Sequence, residues 1–148
     1  MKKLFACVVL ALLTIGCNNN GGGGSPTDPS QVNIEFTTTD IVVGTGAQAA
    51  PGNRATINFE LWLYNQAGTE SKGTRVQGSS DPGVGPFSFT IGAGGVIPGV
   101  DQGVRGMRVG GRRRAYIPPS LAYGSSGSGS IPPNASIVFQ MELVTLVQ

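Results

Sequence analysis

The chain has 148 residues, 39% of them hydrophobic, with two cysteines and no histidine. That is room for one ordinary core, and it leaves too few nitrogen and sulfur ligands for a zinc or copper site. Its formal charge of +2 resides in Lys2 and Lys3; without them eight basic residues face eight acidic ones, so the charge gives no support to a nucleic-acid partner.

The N-terminus is an address. Lys2 and Lys3 precede an apolar run from Leu4 to Ile15, closed by Gly16-Cys17. The run is too short to span a bilayer and reads as an export signal. Leu13-Thr-Ile-Gly-Cys17 resembles the lipobox of bacterial lipoproteins. That resemblance implies cleavage after residue 16 and acylation of Cys17, and several acyl chains anchor firmly where one does not. The implied location is the bacterial cell envelope, facing the periplasm or exterior. Asn18, in place of Asp, favours the outer membrane where two membranes exist. Cys7 leaves with the leader, so the mature chain has no disulfide.

Asn18 to Ser30 carries no apolar side chain and is expected to be a flexible tether, on the order of a few nanometres long. The expected organisation is therefore a signal peptide at 1–16, a lipidated cysteine and tether at 17–31, and one domain at 32–148. An N-terminal strand is expected near Val32–Thr37, continuing to Ile41–Val43. Ile57, Phe59, Leu61 and Leu63 alternate with Thr56, Asn58, Glu60 and Trp62, the period of a half-buried strand. Phe87-Ser-Phe-Thr-Ile91 alternates likewise.

Between these strands and the next, the period changes. Val100, Val104 and Met107 recur at helical spacing, with Asp101 near the start and Gly110-Gly111 at the end. Gly103 and Gly106 make this a poor helix on propensity, so packing against a sheet must hold it. Arg112-Arg113-Arg114 reads as a charged strand edge. Ile137, Phe139, Met141 and Leu143 form the inner face of a last strand. The pattern calls for an α+β fold, a twisted antiparallel sheet of about five strands half-wrapped around one short helix. Ile117-Pro-Pro-Ser-Leu-Ala-Tyr-Gly124 and Ile131-Pro-Pro-Asn-Ala-Ser-Ile-Val-Phe139 set Tyr123 and Phe139 at the ends of a proline-stiffened loop, framing an apolar groove.

Gly92-Ala-Gly-Gly-Val-Ile-Pro-Gly-Val-Asp-Gln-Gly-Val-Arg-Gly-Met-Arg-Val-Gly-Gly, with the two Ile-Pro-Pro segments after it, resembles the FKBP-type peptidyl-prolyl cis-trans isomerases. The likeness covers nearly all of residues 32–147. It implies a proline pocket between helix and concave sheet. Phe59, Phe87 and Phe139 supply its aromatics, Val96 and Ile97 its backbone donors, Tyr123 its hydroxyl, and Ile131 its rim. Two places depart from the pattern. Val100 stands where the family has a floor tryptophan, so the floor is expected to be deeper, or other side chains shift to fill it. Val76 and Gln77 stand where the family has a Phe-Asp pair. Trp62, on the opposite strand face, is expected to make a back-surface contact.

The implied activity is isomerisation of X-Pro bonds in exported polypeptides, with no cofactor and no metal. The implied inhibitors are macrolides. The competing reading is a proline-binding or chaperone-like module with little or no turnover, which Val100 and Gln77 favour.

Overall fold

The computed structural model describes residues 28–148. The expected signal peptide, Cys17 and most of the tether lie outside the described residues. Six strands and one helix follow in order. They are β1 (Thr37–Val42), β2 (Arg54–Tyr64), β3 (Lys72–Gly78), β4 (Phe87–Thr90), α1 (Pro98–Val104), β5 (Arg112–Ile117) and β6 (Ile137–Val147). The sheet is antiparallel with the order β1-β5-β6-β2-β3, and β4 also pairs with β2. The eleven residues of β2 serve two partners on one flank, β4 along Arg54–Ile57 and β3 along Glu60–Tyr64. The expected α+β architecture is present, with one strand more than expected.

The additional strand is β3. Its sequence, Lys-Gly-Thr-Arg-Val-Gln-Gly, has no apolar alternation because it borders the sheet and buries little, a common way to protect an edge. The first strand starts at Thr37 rather than near Val32, and it is β1, not β5, that forms the opposite edge. The arginine run is therefore not a strand edge. β5 lies between β1 and β6, Arg113 forms a bidentate pair with Asp40 of β1, and Arg114 is 7% exposed and paired with Glu70.

The core fills the hollow between α1 and the sheet, with Ile57, Ile117, Ile137, Met141, Leu143, Val100 and Val104 fully buried. The helix is only seven residues long, and Met107 is buried just beyond it. Pro98 opens it at the first helical position, where a missing N–H costs nothing. The glycines that weaken this helix in isolation allow it to lie flat on the sheet. A Cβ at Gly99 would come within 2.3 Å of Ile117 Cγ2, and one at Gly103 would sit 3.0 Å from Met141 Cε. Two side chains fasten the ends. Asp101 Oδ1 accepts from the Gly92 N–H at 2.6 Å, while its other oxygen pairs with Arg105. Arg113 Nη1 donates at 3.0 Å to the carbonyls of Gly103 and Arg105, groups that a helix C-terminus leaves unpaired.

Candidate functional site

Rows of residues cross the concave face in register. One runs from Gln77 on β3 to Leu61 on β2, Phe139 on β6 and Ala115 on β5. Period-two alternation puts Phe59 on the same face, one step along β2. The Phe59 ring stacks on Phe139, with centroids 5.4 Å apart and planes 8° from parallel. It meets Phe87 edge-on at 5.4 Å and 85°. Phe89 backs Phe87 at 5.5 Å. Such contacts stiffen the rings beyond their buried area.

Above this aromatic box lies a hollow of about 230 Å³ bounded by Val96, Ile97 and Val100 from the helix side, by Tyr123, and by Leu61 and Gln77. A second hollow, about 330 Å³, lies around Asn58, Glu60, Arg112, Gln140 and Glu142 on the outer face. It is larger, but most of its lining residues are charged, amide or hydroxyl side chains and Arg112 pairs with Glu142 across it, so the smaller, aromatic hollow is the candidate site.

Two residues lining the hollow carry a donor with no partner among the described residues. The Ile97 carbonyl accepts from Val100 and Asp101 at 3.0 and 3.2 Å, starting the helix, while its N–H has no acceptor among the described residues. The Tyr123 hydroxyl likewise has no hydrogen-bond partner among them, and burial pushes its ionisation above the ordinary phenol value. Tyr123 is set by a tight turn over Pro119–Leu121, closed by the Gly124 N–H donating to the Pro119 carbonyl at 2.9 Å. The left-handed φ of 58° at Gly124 is what a glycine is needed for.

Among residues expected from the sequence, Phe59, Phe87, Phe139, Val96, Ile97, Val100, Tyr123 and Gln77 converge on this hollow. Val76 and Ile131 do not line it. The β2–β3 register shifts between Leu61 and Trp62, so Val76 is passed over in the pairing and packs against the core instead. Ile131 is 5% exposed and belongs to the core cluster, its backbone tied to Ser128 in both directions. Trp62 is on the outer face under Lys72 Nζ, 4.2 Å from the ring centroid. Leu61 is the lining residue that was missed. The strand period puts it on the face of Phe59, and its register with Gln77 and Phe139 brings it into the lining. Leu61, 4% exposed, lines the hollow together with Val100.

A sequence model described as FKBP-type peptidyl-prolyl cis-trans isomerase matches residues 45–144. FK506-binding protein 2 of Dictyostelium discoideum is 36% identical over 145 residues, covering 97% of this chain and 98% of its own length. An FK506-binding protein of Neisseria meningitidis is 36% identical over 110 residues, 74% of this chain and 94% of its own. Among solved structures, AtFKBP13 aligns with a TM-score of 0.64 at 34% identity, over 74% of this chain and 91% of that one. FkpA from Escherichia coli aligns with a TM-score of 0.63 at 30% identity over 76% of this chain, which spans about half of that protein (48%).

Proposed function

The chain belongs to the FKBP-type peptidyl-prolyl cis-trans isomerase family, and from that premise we propose that the Phe59–Tyr123 hollow is where it turns X-Pro bonds of exported polypeptides. The reaction class needs no nucleophile, base or metal. Amide resonance sets a rotation barrier of about 18–20 kcal/mol, and unaided exchange takes tens of seconds or longer.

The proposed mechanism is differential binding. A planar amide carries more charge separation than a twisted one, so the apolar walls of Phe59, Phe87, Phe139, Leu61 and Val100 disfavour the planar ground state. The free Ile97 N–H and the Tyr123 hydroxyl hold the carbonyls flanking proline. Contacts that tighten as the bond twists lower the barrier. About 4 kcal/mol of such preference gives roughly a thousandfold acceleration. Gln77 contributes a neutral amide at the wall.

The observation that carries this reading is that a stacked aromatic box and two residues whose donors are unpaired among the described residues line one hollow. It is tested by a protease-coupled or NMR exchange assay on an X-Pro peptide. Catalysis is expected, falling about three- to tenfold in Tyr123→Phe, which removes a hydrogen bond and keeps the ring. A parent rate equal to buffer, with peptide still bound, sinks the mechanism in favour of simple proline binding.

The address is also part of the proposal. Lys2-Lys3, the apolar run to Ile15 and the Cys17 motif support export and a lipid anchor in the cell envelope, with proline-containing exported chains as substrates. Among the described residues no helix is long and apolar enough to cross a membrane. Mass spectrometry of the protein from its membrane fraction is expected to find an acylated Cys17 as the first residue; an intact leader or an unmodified cysteine rejects the anchor. Several relatives are named for binding FK506, and we extend to this hollow the capacity for a macrolide bearing a proline-like ring.

A further inference from the structure

The segment before the first strand is fastened to the loop that carries one wall of the hollow. Asp28 Oδ1 accepts from the Ser30 N–H at 2.9 Å and from its hydroxyl at 2.6 Å. This folds the segment so that Ser30 is 1% exposed. The Ser30 carbonyl then accepts from the Ser136 N–H at 2.7 Å. The Ser136 hydroxyl donates to the Val32 carbonyl, and Gln31 Nε2 donates to the Pro133 carbonyl at 3.3 Å. Ser136 itself has no exposed surface. A stretch with no apolar side chain thus buries a serine by satisfying its polar atoms, the condition under which a polar group is buried cheaply.

From Ser136 and its neighbours two short routes lead to the site. Ser136 stands just before β6, three residues from Phe139, and its carbonyl accepts from the Tyr64 N–H at 2.9 Å. Asn134, two residues earlier, donates its N–H to the Gly124 carbonyl at 2.8 Å, and Gly124 adjoins Tyr123. Between Leu121 and Ile137 the chain has no helix or strand, and Gly124, Gly127 and Gly129 all have positive φ. Loops of this kind open at low free energy unless cross-linked. The clasp supplies cross-links at the end where the loop enters β6.

We propose that the Asp28–Val32 clasp on Ser136 is a positioning element for substrate binding, holding the loop so that Tyr123 and Phe139 face one another across the hollow. This rests on the hollow being the proline site. Asp28 and Ser136 are positioning residues and touch no substrate.

The test uses the full chain and the X-Pro exchange assay. Asp28→Ala and Ser136→Ala are each expected to raise KM about three- to tenfold, with kcat changed by less than about twofold. Asp28→Asn keeps an acceptor oxygen and is expected to retain the parent KM. The Gly124 and Tyr123 amide resonances are expected to move in both alanine variants and not in Asp28→Asn. Parent KM values with unmoved resonances overturn the proposal. So does a fall in kcat at constant KM that tracks the folded fraction, since the clasp would then only stabilise. An inactive parent chain instead overturns the assignment of the hollow, and the resonances still report whether the clasp sets the Tyr123 wall.

Discussion

Leu61 and Phe139 stand in register on neighbouring strands of the concave face, and both are nearly buried at 4% and 5% exposed. Leu61 lines the same hollow as the stacked Phe59 and Phe139 rings and as Val100 of the helix. One aliphatic side chain from the sheet and one from the helix thus share that lining.

A shared floor has a measurable signature. Val100→Trp alone is expected to cost about 1–3 kcal/mol, because the indole enters a hollow that Leu61 also lines. Leu61→Ala alone is expected to cost about 2–5 kcal/mol by leaving a cavity. Combined, the two changes compensate, and the double variant is expected to be more stable than the sum by about 0.5–3 kcal/mol. Urea unfolding measures the cycle, and peptide affinity should recover in step. Strict additivity means that Leu61 and Val100 do not share the space.

Helix–sheet proximity gives a ranking of two substitutions that propensity alone would treat as equal. Gly→Ala within a helix is worth roughly 1 kcal/mol in its favour. At Gly99 the new methyl meets Ile117 at 2.3 Å, and a branched, fully buried side chain has nowhere to go, so a net loss of about 1–3 kcal/mol is expected. At Gly103 the neighbour is the terminal methyl of Met141 at 3.0 Å, which a flexible side chain yields readily. Gly103→Ala is expected to be close to neutral. Thermal unfolding of both variants checks the order, and equal losses reject this account of helix docking.

The site is expected to be indifferent to pH through the physiological range. Tyr123 is the one side chain lining the hollow that titrates, and burial favours its neutral form. kcat/KM should be flat between about pH 5 and 9 and fall only when the hydroxyl loses its proton. The same shift stabilises the fold below the unfolded phenol value of about 10, and this contribution is lost as pH rises through the higher folded value. On the acid side, hydrogen bonding to Arg113 holds the Asp40 carboxyl below its ordinary value. Its contribution is present above about pH 4 and lost as pH falls through the folded value. A bell-shaped rate profile centred near neutrality contradicts this and points to an ionised group acting in the hollow.

How much of this was legible beforehand follows from which residues see the core. β2 and β6 were plain because one face of each is buried, which forces alternation on Ile57–Leu63 and Ile137–Leu143. β3 escaped because Lys72–Gly78 borders the sheet and nothing selects apolar residues there. The neighbours of β5 could not be read because they depend on Asp40 meeting Arg113, 73 positions apart. The convergence of Phe59, Phe87, Ile97 and Tyr123 came from collinear motifs, while the direction of Val76 was set by a register shift that no local pattern reveals. Asp28–Ser30 looked too polar to pack, since composition counts apolar side chains and this segment is held by hydrogen bonds. Residues 28–31, assigned by composition to the expected tether, are thus docked on the domain.

Arg113 offers a test that separates charge from geometry. Its guanidinium joins Asp40 on β1 to the carbonyls of Gly103 and Arg105 at the end of α1, so one planar group ties the edge strand to the helix. Arg113→Ala is expected to cost about 1–3 kcal/mol, mostly because the Gly103 carbonyl loses its donor in a part-buried place. Arg113→Lys keeps the charge, but a single ammonium cannot match the fork that reaches a carboxylate and two carbonyls together. It is therefore expected to recover less than half of the loss. Asp40→Asn removes the ion pair and leaves the helix cap, so its effect should be the smallest of the three. Urea unfolding of the series decides the matter: if Asp40→Asn equals Arg113→Ala, the edge-strand pair and not the helix cap is what Arg113 contributes.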